Sequence, residues 1–358
     1  MIVRDEAEVI ERALRSARAL VTSWRIIDTG STDGTQELIR SHLADVPGEL
    51  RSAPWVDFGT NRTELVQWAR GAGQWLLLLD ADMEIEVADD VAEQLARLDA
   101  DAAFVPVDGG VQYRMPYLVR SDLSWHYVGR THEHIACDGP FTTAWFDALR
   151  VLHHGDGGSR SEKFERDVRL LHRDLLEDPS NPRAHFYLAQ TLRDSGDHAG
   201  AIEHYERRVA LGGWDEEVFY AQYQVGVCEA ALGRERAPES LARAWDLRPT
   251  RAEPLYHLAR VRRIEGRFQL AWISASLAVG IPQPADMLFV EPWIYQWGVR
   301  FEWCDAAWRI GHADLARSLC AELLGRDDLP DDHVEHLKVI EGDVADPTGE
   351  RERRADAS

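Results

Sequence analysis

The first part of the chain alternates between short apolar runs and amphipathic runs. SWRIIDTG (residues 23–30) predicts a strand that ends in a glycine turn. STDGTQELIRSHL (31–43) opens with residues that cap helices and continues with apolar positions at helical spacing. NRTELVQWARGA (61–72) predicts a helix closed by glycine, and WLLLLDAD (75–82) predicts a buried strand. This order of strand, helix and strand predicts a parallel α/β sheet.

The pattern changes twice further along the chain. Residues 105–155 are rich in aromatic and strand-forming positions, and the chain beyond them has helical spacing. Three stretches of the helical part align on Gly196, Gly233 and Gly266. They recur at roughly 37 and 33 residues, close to the period of tetratricopeptide repeats. Residues 291–325 predict a further helix pair that continues the same stack.

These patterns divide the chain into three parts. An α/β domain is expected over residues 1–160, and a helical repeat domain over residues 161–345. The remaining segment, DPTGERERRADAS (346–358), is charged and poor in apolar residues. Such a segment cannot bury enough apolar surface to fold by itself, so we expect a disordered tail.

Charge and cysteine content narrow the classes of function. The 40 Lys and Arg residues against 62 Asp and Glu residues give a net charge of −22. A surface this acidic repels phosphate backbones, so we expect no nucleic-acid partner. The 4 cysteines are widely spaced and indicate neither a disulfide framework nor a zinc site. Without an apolar leader or a membrane-spanning run in the sequence, we expect a cytoplasmic protein.

Two carboxylates follow the apolar run at Trp75–Leu79. Asp80 and Asp82 are two positions apart, so on an extended chain their side chains point to the same side. Paired negative charges need a compensating cation, and a dicarboxylate suits Mg²⁺ or Mn²⁺ that bridges to a diphosphate. The alternative is an ordinary acidic turn. The sequence contains no phosphate-binding loop of the G-x-x-x-x-G-K-[ST] type. The strand that ends in Asp80 and Asp82 is therefore not interpreted as the second motif of a P-loop nucleoside triphosphatase.

A second constellation, DTGSTDGT (28–35), begins where the strand predicted in SWRIIDTG ends in its glycine turn. By itself it is consistent with a capped strand-to-helix turn. Together with TNRTE (60–64) and LLLLDAD (76–82), in this order, it resembles the family 2 glycosyltransferases. The start, MIVRDEAEVIERAL, resembles the first strand and helix of that family without the strand residues that usually precede them. The resemblance covers about residues 1–160 and implies a Rossmann-like GT-A catalytic domain, here followed by an all-α tetratricopeptide-like repeat domain.

The resemblance also implies roles for individual residues. Asp28 is expected to bind the base or ribose of a nucleotide sugar, and Arg62 to face the nucleotide or its diphosphate. Asp80 and Asp82 are expected to hold the metal, whereas Asp33 is expected to cap a helix. The set of nucleotide-sugar contacts expected from the resemblance is Asp28, Arg62, Asp80, Arg4 and Lys163. For Lys163, and for Arg166 nearby, a solvated helix face is the alternative.

The stretch WHYVGRTHEHI (125–135) falls where this family activates the acceptor. Inverting transfer needs a carboxylate base near the acceptor nucleophile, and Glu133 is the candidate. His132 or His134 would orient the acceptor, or lie on an ordinary strand surface. The aromatic residues of this region would form either a wall for the sugar or part of the core: Trp125, Tyr127 and Trp145.

The stretch VLHHGDGG (151–158) resembles the place of the family's last metal ligand. That ligand is a histidine which completes the coordination of the metal beside the two aspartates. We expect it to be His154, directly before a glycine, in preference to His153.

The combination of the two domains resembles repeat-bearing glycosyltransferases that include peptide S-glycosyltransferases. It implies metal-dependent, inverting transfer of a hexose from a UDP-sugar, with UDP-glucose or UDP-N-acetylglucosamine as first candidates. The acceptor would be a peptide Cys or Ser bound by the concave repeats, or else a glycan or small molecule. The repeats could also form a homodimer. The rivals are an inactive domain that serves as a repeat scaffold, and a nucleotidyltransferase.

Overall fold

The computed structural model describes residues 1–108, 112–157 and 163–345, which form two compact units. The first unit spans Met1–Ser195 and the second begins at Gly196. The predicted tail, residues 346–358, lies outside the described residues. Among the helices of the described ranges, we find none with the length and apolarity that a membrane crossing requires.

The first unit begins with a three-stranded parallel sheet. Its strands are β1 (Ile2–Val3), β2 (Trp24–Asp28) and β3 (Gly48–Ser52), in that order. Helix α1 (Ile10–Ala17) joins β1 to β2, and α2 (Thr35–His42) joins β2 to β3. The apolar positions of both helices pack with β1 and β2 into a buried cluster. For these three strands the parallel arrangement is the one that the alternating pattern predicts. The strand at residues 75–77, which the same pattern predicts for this sheet, instead pairs antiparallel with residues 118–120 in a second sheet.

The later strands of the first unit are β4 (Trp75–Leu77), β5 (Met83–Val87), β6 (Ala102–Asp108), β7 (Gln112–Arg120), β8 (Trp125–Val128), β9 (His134–Cys137), β10 (Thr143–Trp145) and β11 (Leu149–His153). Five of them form a mixed sheet in the order β4-β7-β6-β11-β5, and β10 pairs with β6. A separate hairpin pairs β8 with β9. Helix α3 (Phe58–Trp68) precedes this region and α4 (Val91–Arg97) lies within it.

Alternation along the central strands builds the core of the mixed sheet. Val105 and Val107 on β6 and Leu149 and Val151 on β11 are fully buried, whereas Arg150 between them is exposed. Strand β4 is shorter than the predicted strand over residues 75–82. The chain leaves β4 for the turn that carries the two aspartates and returns as β5. The carboxylates therefore lie on the connection between β4 and β5, the two strands at opposite ends of this sheet order.

Two further helices complete the first unit. They are α5 (Lys163–Glu177) and α6 (Pro182–Asp194), and they pack against each other. Asn181 caps α6 by accepting a hydrogen bond from the Ala184 amide at 3.0 Å. From the sequence, both helices are assigned to the repeat domain, which is expected to begin at residue 161. The compact unit that contains them ends at Ser195.

Over its described residues, 196–345, the second unit is helical, as predicted, and resembles tetratricopeptide repeats in its helix pairs. Gly233 and Gly266 end the first helices of two successive pairs with positive φ angles of 66° and 72°, and Gly311 does so in the next pair at 85°. The recurring glycine signal is therefore a recurring helix end. The helices are α7 (His198–Leu211), α8 (Asp215–Ala231), α9 (Ala237–Leu247), α10 (Glu253–Ile264), α11 (Phe268–Ala278), α12 (Val299–Arg309), α13 (Ala313–Leu324) and α14 (Asp331–Ala345), with a π-helical turn at Ile294–Gly298.

Candidate active site

A cavity of about 430 Å³ in the first unit brings four of the sequence motifs together. Asp80 and Asp82 reach it from the turn between β4 and β5, and Arg62 reaches it from α3. Glu133 precedes β9 in the β8–β9 hairpin, and His153 ends β11. All five residues line the cavity, so the motifs that sequence alone places in separate segments share one space.

The start of α3 is built to place Arg62 at this cavity. Asp57 caps the helix by accepting a hydrogen bond from the Thr60 amide at 2.7 Å. Gly59 packs so closely on the hairpin that a Cβ atom there would lie 2.0 Å from the carbonyl oxygen of Gly129. This close approach brings α3 to the segment that carries Glu133.

Arg62 lies between the two acidic groups of the cavity. Its guanidinium donates to Oδ1 of Asp80 at 2.6 Å, and its Nε atom lies 2.7 Å from Oε1 of Glu133. Burial would lower the pKa of Arg62, but the Asp80 and Glu133 carboxylates outweigh burial and raise it. Arg62 is therefore a permanent cation between the predicted metal ligand and the predicted base.

The electrostatics of Glu133 are those of a buried acid. Only 9% of its side chain is exposed, and burial raises its pKa. The positive charge of Arg62 opposes this shift without cancelling it. The Glu133 carboxylate thus binds a proton more readily than an exposed glutamate does, which is the property that a general base needs.

The structure places His153, and not His154, beside the aspartates. The Nε2 atom of His153 is 3.3 Å from Oδ2 of Asp82, whereas Nε2 of His154 is 3.0 Å from Oε2 of Glu84. The reason is strand alternation, since His153 continues the face of Leu149 and Val151 on β11. The expectation that His154 lies beside the aspartates is corrected. His153 is an even number of residues from the apolar positions Leu149 and Val151, and this spacing is the sequence signal that could have identified it.

Asp82 is tuned by the same histidine. Partial burial would raise the pKa of Asp82, but the hydrogen bond and charge of His153 outweigh it and lower the pKa. The carboxylate is therefore ionised at neutral pH, as a metal ligand must be.

A divalent cation fits the chemistry of the donors at this cavity. Asp80 and Asp82 supply oxygen atoms and His153 supplies a nitrogen atom, the ligand types that Mn²⁺ accepts. Within the described ranges, however, no three such side chains are already arranged around one point as a metal site. Asp80 is instead held by Arg62. The donor atoms are of the types that bind a cation, but in this structure Asp80 pairs with Arg62 and Asp82 pairs with His153.

Asp28 is fully buried at the end of β2. Its Oδ1 atom accepts hydrogen bonds from the amides of Gly30 at 3.0 Å and Ser31 at 3.1 Å, and from Gln36 Nε2 at 2.9 Å. Its Oδ2 atom is buried without a hydrogen-bond partner. Such a group costs free energy unless something pairs with it. Asp28 therefore both closes the turn and keeps one acceptor unused.

Asp28 is not among the described residues that line the cavity, and neither are Asp33 and Arg4. Asp33 accepts hydrogen bonds from the Thr35 amide and hydroxyl, and from the Ala7 amide at 2.9 Å. Asp33 lies one residue before Gly34, the N-cap residue of α2, and bonds the first helical amide from there. It is therefore not itself the cap residue that is expected from the sequence. The Arg4 side chain is largely exposed, with Asp5 3.9 Å away, and is not part of the cavity lining that the structure describes. The Lys163 side chain lies outside the described residues.

The three aromatic candidates have three different environments. Trp125 is 3% exposed and donates a hydrogen bond to the Arg120 carbonyl, so it belongs to the core. Trp145 is 51% exposed beneath the guanidinium of Arg114. Tyr127 lines the cavity with Arg62 5.8 Å from its ring centre, and burial raises its pKa to about 12. Of the three, Tyr127 is the one that a sugar in this cavity would meet.

The histidines that flank Glu133 diverge. His132 lines the same cavity, together with Arg166. His134 lines a neighbouring cavity of about 570 Å³, and burial lowers its pKa. Sequence analysis missed Thr131 and Asp167, which also line the first cavity and share a hydrogen bond of 3.3 Å. No local motif marks Asp167, because it comes to the site from α5.

Comparison with known protein families agrees with this geometry. Residues 1–142 match the family described as glycosyl transferase family 2. These residues form a family 2 glycosyltransferase domain. The match contains Arg62, both aspartates and Glu133, and it ends before His153 and before helices α5 and α6.

Two relatives match parts of this chain. A TPR repeat-containing protein of Synechococcus elongatus is 33% identical over 120 residues, which are 33% of this chain and 28% of that protein. The SPbeta prophage-derived glycosyltransferase SunS of Bacillus subtilis is 22% identical over 223 residues, 58% of this chain and 52% of SunS. The chain thus spans about half or less of the length of these relatives.

Solved structures similar to this chain include tetratricopeptide proteins. The crystal structure of MamA has a TM-score of 0.37 and 23% identity, with 44% of this chain and 84% of that chain covered. A TPR protein of Thermus thermophilus has a TM-score of 0.35 and 18% identity, with 50% and 90% covered.

Proposed function

We propose that the protein is a metal-dependent, inverting glycosyltransferase that moves a hexose from a UDP-sugar to an acceptor. The observation that carries this proposal is the shared cavity, in which Arg62 lies between Asp80 and Glu133 and His153 faces Asp82. A nucleotide diphosphate needs cationic partners, and an acceptor hydroxyl or thiol needs a base. One cavity of the glycosyltransferase domain supplies groups for both.

In the transfer step, Glu133 accepts the proton of the acceptor hydroxyl or thiol. The acceptor oxygen or sulfur then forms a bond to the anomeric carbon from the face opposite the diphosphate. The bond between that carbon and the phosphate oxygen breaks, and its electron pair leaves with UDP. The raised pKa of Glu133 favours its role as proton acceptor, and Arg62 stabilises the negative charge that develops in the cavity.

Asp80, Asp82 and His153 would hold the cation, Mn²⁺ or Mg²⁺. When bound, such a cation neutralises the departing diphosphate as a Lewis acid. Asp82 is already ionised for this task because of His153. Asp28, with its unused buried oxygen atom, is the candidate for an N–H or O–H donor of the nucleoside. UDP-glucose and UDP-N-acetylglucosamine are the donors to test first.

The helical unit supports a protein or peptide acceptor. Helical repeats present extended surfaces for polypeptides. One relative at low identity, SunS, is named a glycosyltransferase. We therefore propose a peptide Cys or Ser side chain as the acceptor, with glycans and small molecules as the alternatives. A homodimer formed through the repeats belongs to the same proposal.

The release of UDP from UDP-glucose and from UDP-N-acetylglucosamine, with Mn²⁺ and with EDTA, tests this function. Hydrolysis of the donor by water needs no known acceptor and uses the same base. We expect metal-dependent release that Glu133→Gln lowers by about 10²-fold or more. The exposed Glu64 on α3 offers a matched control, Glu64→Gln, which should act as wild type. Donor-dependent release that is equal in both variants would contradict the assignment of Glu133, and an inactive wild type would favour a repeat scaffold.

A further inference from the structure

Helices α5 and α6 hold the segment that carries Glu133. From α5, Asp167 accepts a hydrogen bond from the Thr131 hydroxyl at 3.3 Å. Also from α5, Glu177 accepts one from the Arg130 guanidinium at 2.6 Å, and Asp174 pairs with the same guanidinium. These two helices lie beyond the residues that match the glycosyltransferase family. They nevertheless contact the residues directly before the candidate base.

The nearest of these contacts to Glu133 comes from Arg183 on α6. Its Nε atom donates a hydrogen bond of 2.8 Å to the carbonyl oxygen of His132. That carbonyl belongs to the planar peptide group between His132 and Glu133, which also contains the Cα atom of Glu133. The bond therefore fixes the orientation of the backbone that carries the Glu133 side chain. The guanidinium of Arg183 also lies over the ring of Tyr187, 4.7 Å from its centre.

The backbone at His132 needs such support. Its φ angle is +49°, a left-handed conformation that residues other than glycine adopt at a cost of about 1–3 kcal/mol. The ring of His132 stacks on Tyr187 with centres 4.3 Å apart and planes within 8° of parallel. Arg183 and Tyr187, one turn apart on α6, thus hold the carbonyl and the ring of the same strained residue.

We propose that Arg183 is a positioning residue for Glu133 in the transfer reaction. The proposal rests on the function proposed above and adds to it a residue outside the family match. It also makes α6 part of the catalytic machinery, although its sequence is that of the first predicted repeat. Because Arg183 acts through a backbone carbonyl, it needs no contact with the substrate.

The electrostatics of the cavity point the same way. The charged and titratable groups that act on Glu133 include Arg62, Asp80, Arg183 and Tyr127. The same cavity is also lined by Glu6, Asp82, Tyr117, His132, His153, Arg166 and Asp167. Burial raises the pKa of Glu133 most, and the positive charges of Arg62 and Arg183 both lower it. Loss of Arg183 should therefore raise the pKa of Glu133 further, in addition to releasing the His132 carbonyl.

The experiment is a pH titration of the Glu133 carboxyl carbon by NMR in protein labelled with ¹³C at glutamate. Loss of one signal in Glu133→Gln assigns the resonance. Arg183→Met removes both the charge and the donor while it keeps the apolar stem, and Arg183→Lys keeps a charge and a donor. The matched control is Arg193→Met on the same helix, since the Arg193 guanidinium pairs with Asp194. If Arg183→Met does not fold, Arg183→Gln replaces it.

We expect Arg183→Met to raise the Glu133 midpoint above that of the wild type, and Arg183→Lys to stay close to the wild type. The pH–rate profile of UDP release should show the same shift in its acid limb, and kcat should fall at least about tenfold. An unchanged Glu133 midpoint in Arg183→Met, or an equal change in Arg193→Met, would overturn the inference.

The two proposals fail in different ways. A wild type that releases no UDP contradicts the proposed function, whereas the NMR titration still decides whether Arg183 acts on Glu133. A wild type that releases UDP, with Arg183→Met unchanged in kcat and in pH profile, overturns only the role of Arg183.

Discussion

The Nε atom of Arg62 lies 2.7 Å from Oε1 of Glu133, while the same guanidinium donates to Asp80. One cation therefore joins the two acidic motifs of the glycosyltransferase domain. Two carboxylates in one partly buried cavity repel each other, and the guanidinium between them stabilises both. The same cation would meet the diphosphate of a donor. In the proposed function, Arg62 links the part of the cavity that holds the donor to the candidate base, Glu133.

Replacement of Glu133 by Gln should abolish activity and should also change how the free energy of unfolding depends on pH. The pKa of Glu133 in the fold is raised above its unfolded value, so the folded state holds the proton more tightly. The free energy of unfolding of the wild type should then fall as pH rises from the ordinary glutamate pKa through the raised value. Glu133→Gln lacks this fall, so its free energy of unfolding relative to the wild type should rise between pH 4 and pH 7, although the variant should be inactive. Denaturant unfolding at pH 4 and pH 7 measures this, and an equal pH dependence in both proteins would contradict it.

The two histidines at the end of β11 offer a direct comparison. The ring of His153 faces Asp82, whereas the ring of His154 faces Glu84. We expect His153→Ala to weaken Mn²⁺ binding in the presence of UDP by about tenfold or more, and His154→Ala to change it by about twofold at most. Isothermal titration calorimetry of the two variants decides between them. The reverse order would restore His154 as the ligand.

The close approach of α3 to the β8–β9 hairpin should be sensitive to a single methyl group. A Cβ atom at Gly59 would lie 2.0 Å from the Gly129 carbonyl oxygen, so Gly59→Ala must displace one of the two segments. We expect a loss of about 2 kcal/mol in the free energy of unfolding and a lower rate of UDP release, since Arg62 would move from Glu133. Gly139→Ala is the control, because nothing lies within 4 Å of its Cβ position. Similar losses in both variants would argue against this packing.

Two helical glycines of the second unit should respond in opposite directions. At Gly226 on α8, a Cβ atom would lie 2.7 Å from the Leu241 side chain and 3.0 Å from its amide, whereas at Gly342 on α14 it would meet nothing within 4 Å. Gly226→Ala should therefore destabilise the unit by about 1–3 kcal/mol. Gly342→Ala should stabilise it by about 0.5–1 kcal/mol, because alanine favours a helix. Thermal unfolding of the two variants tests the helix packing.

Much of the fold could be predicted from local patterns. Gly233, Gly266 and Gly311 carry the positive φ angles that end the first helices of successive pairs. The turn from Asp28 to Thr35 joins β2 to α2 as expected. These features depend on residues close in the chain, and glycine, capping residues and apolar periodicity report on them directly.

Contacts between distant segments could not be predicted in this way. The pairing of Arg62 with Glu133 depends on how α3 packs against the hairpin, and no motif encodes that distance. Trp125 was one of three aromatic candidates, and only its burial assigns it to the core. The helical pattern of α5 and α6 resembles the repeats, so the contact of Arg183 with the His132 carbonyl became visible only in the structure.

The central claim is that Asp82 and a divalent cation together hold a nucleotide diphosphate in this cavity. Calorimetric titration of UDP into the wild type and into Asp82→Asn, each with Mn²⁺ and with EDTA, tests it most directly. The account predicts binding to the wild type with Mn²⁺, and binding weaker by at least about tenfold with EDTA or in Asp82→Asn. Equal affinity for UDP with and without Mn²⁺, or an unchanged affinity in Asp82→Asn, would contradict it.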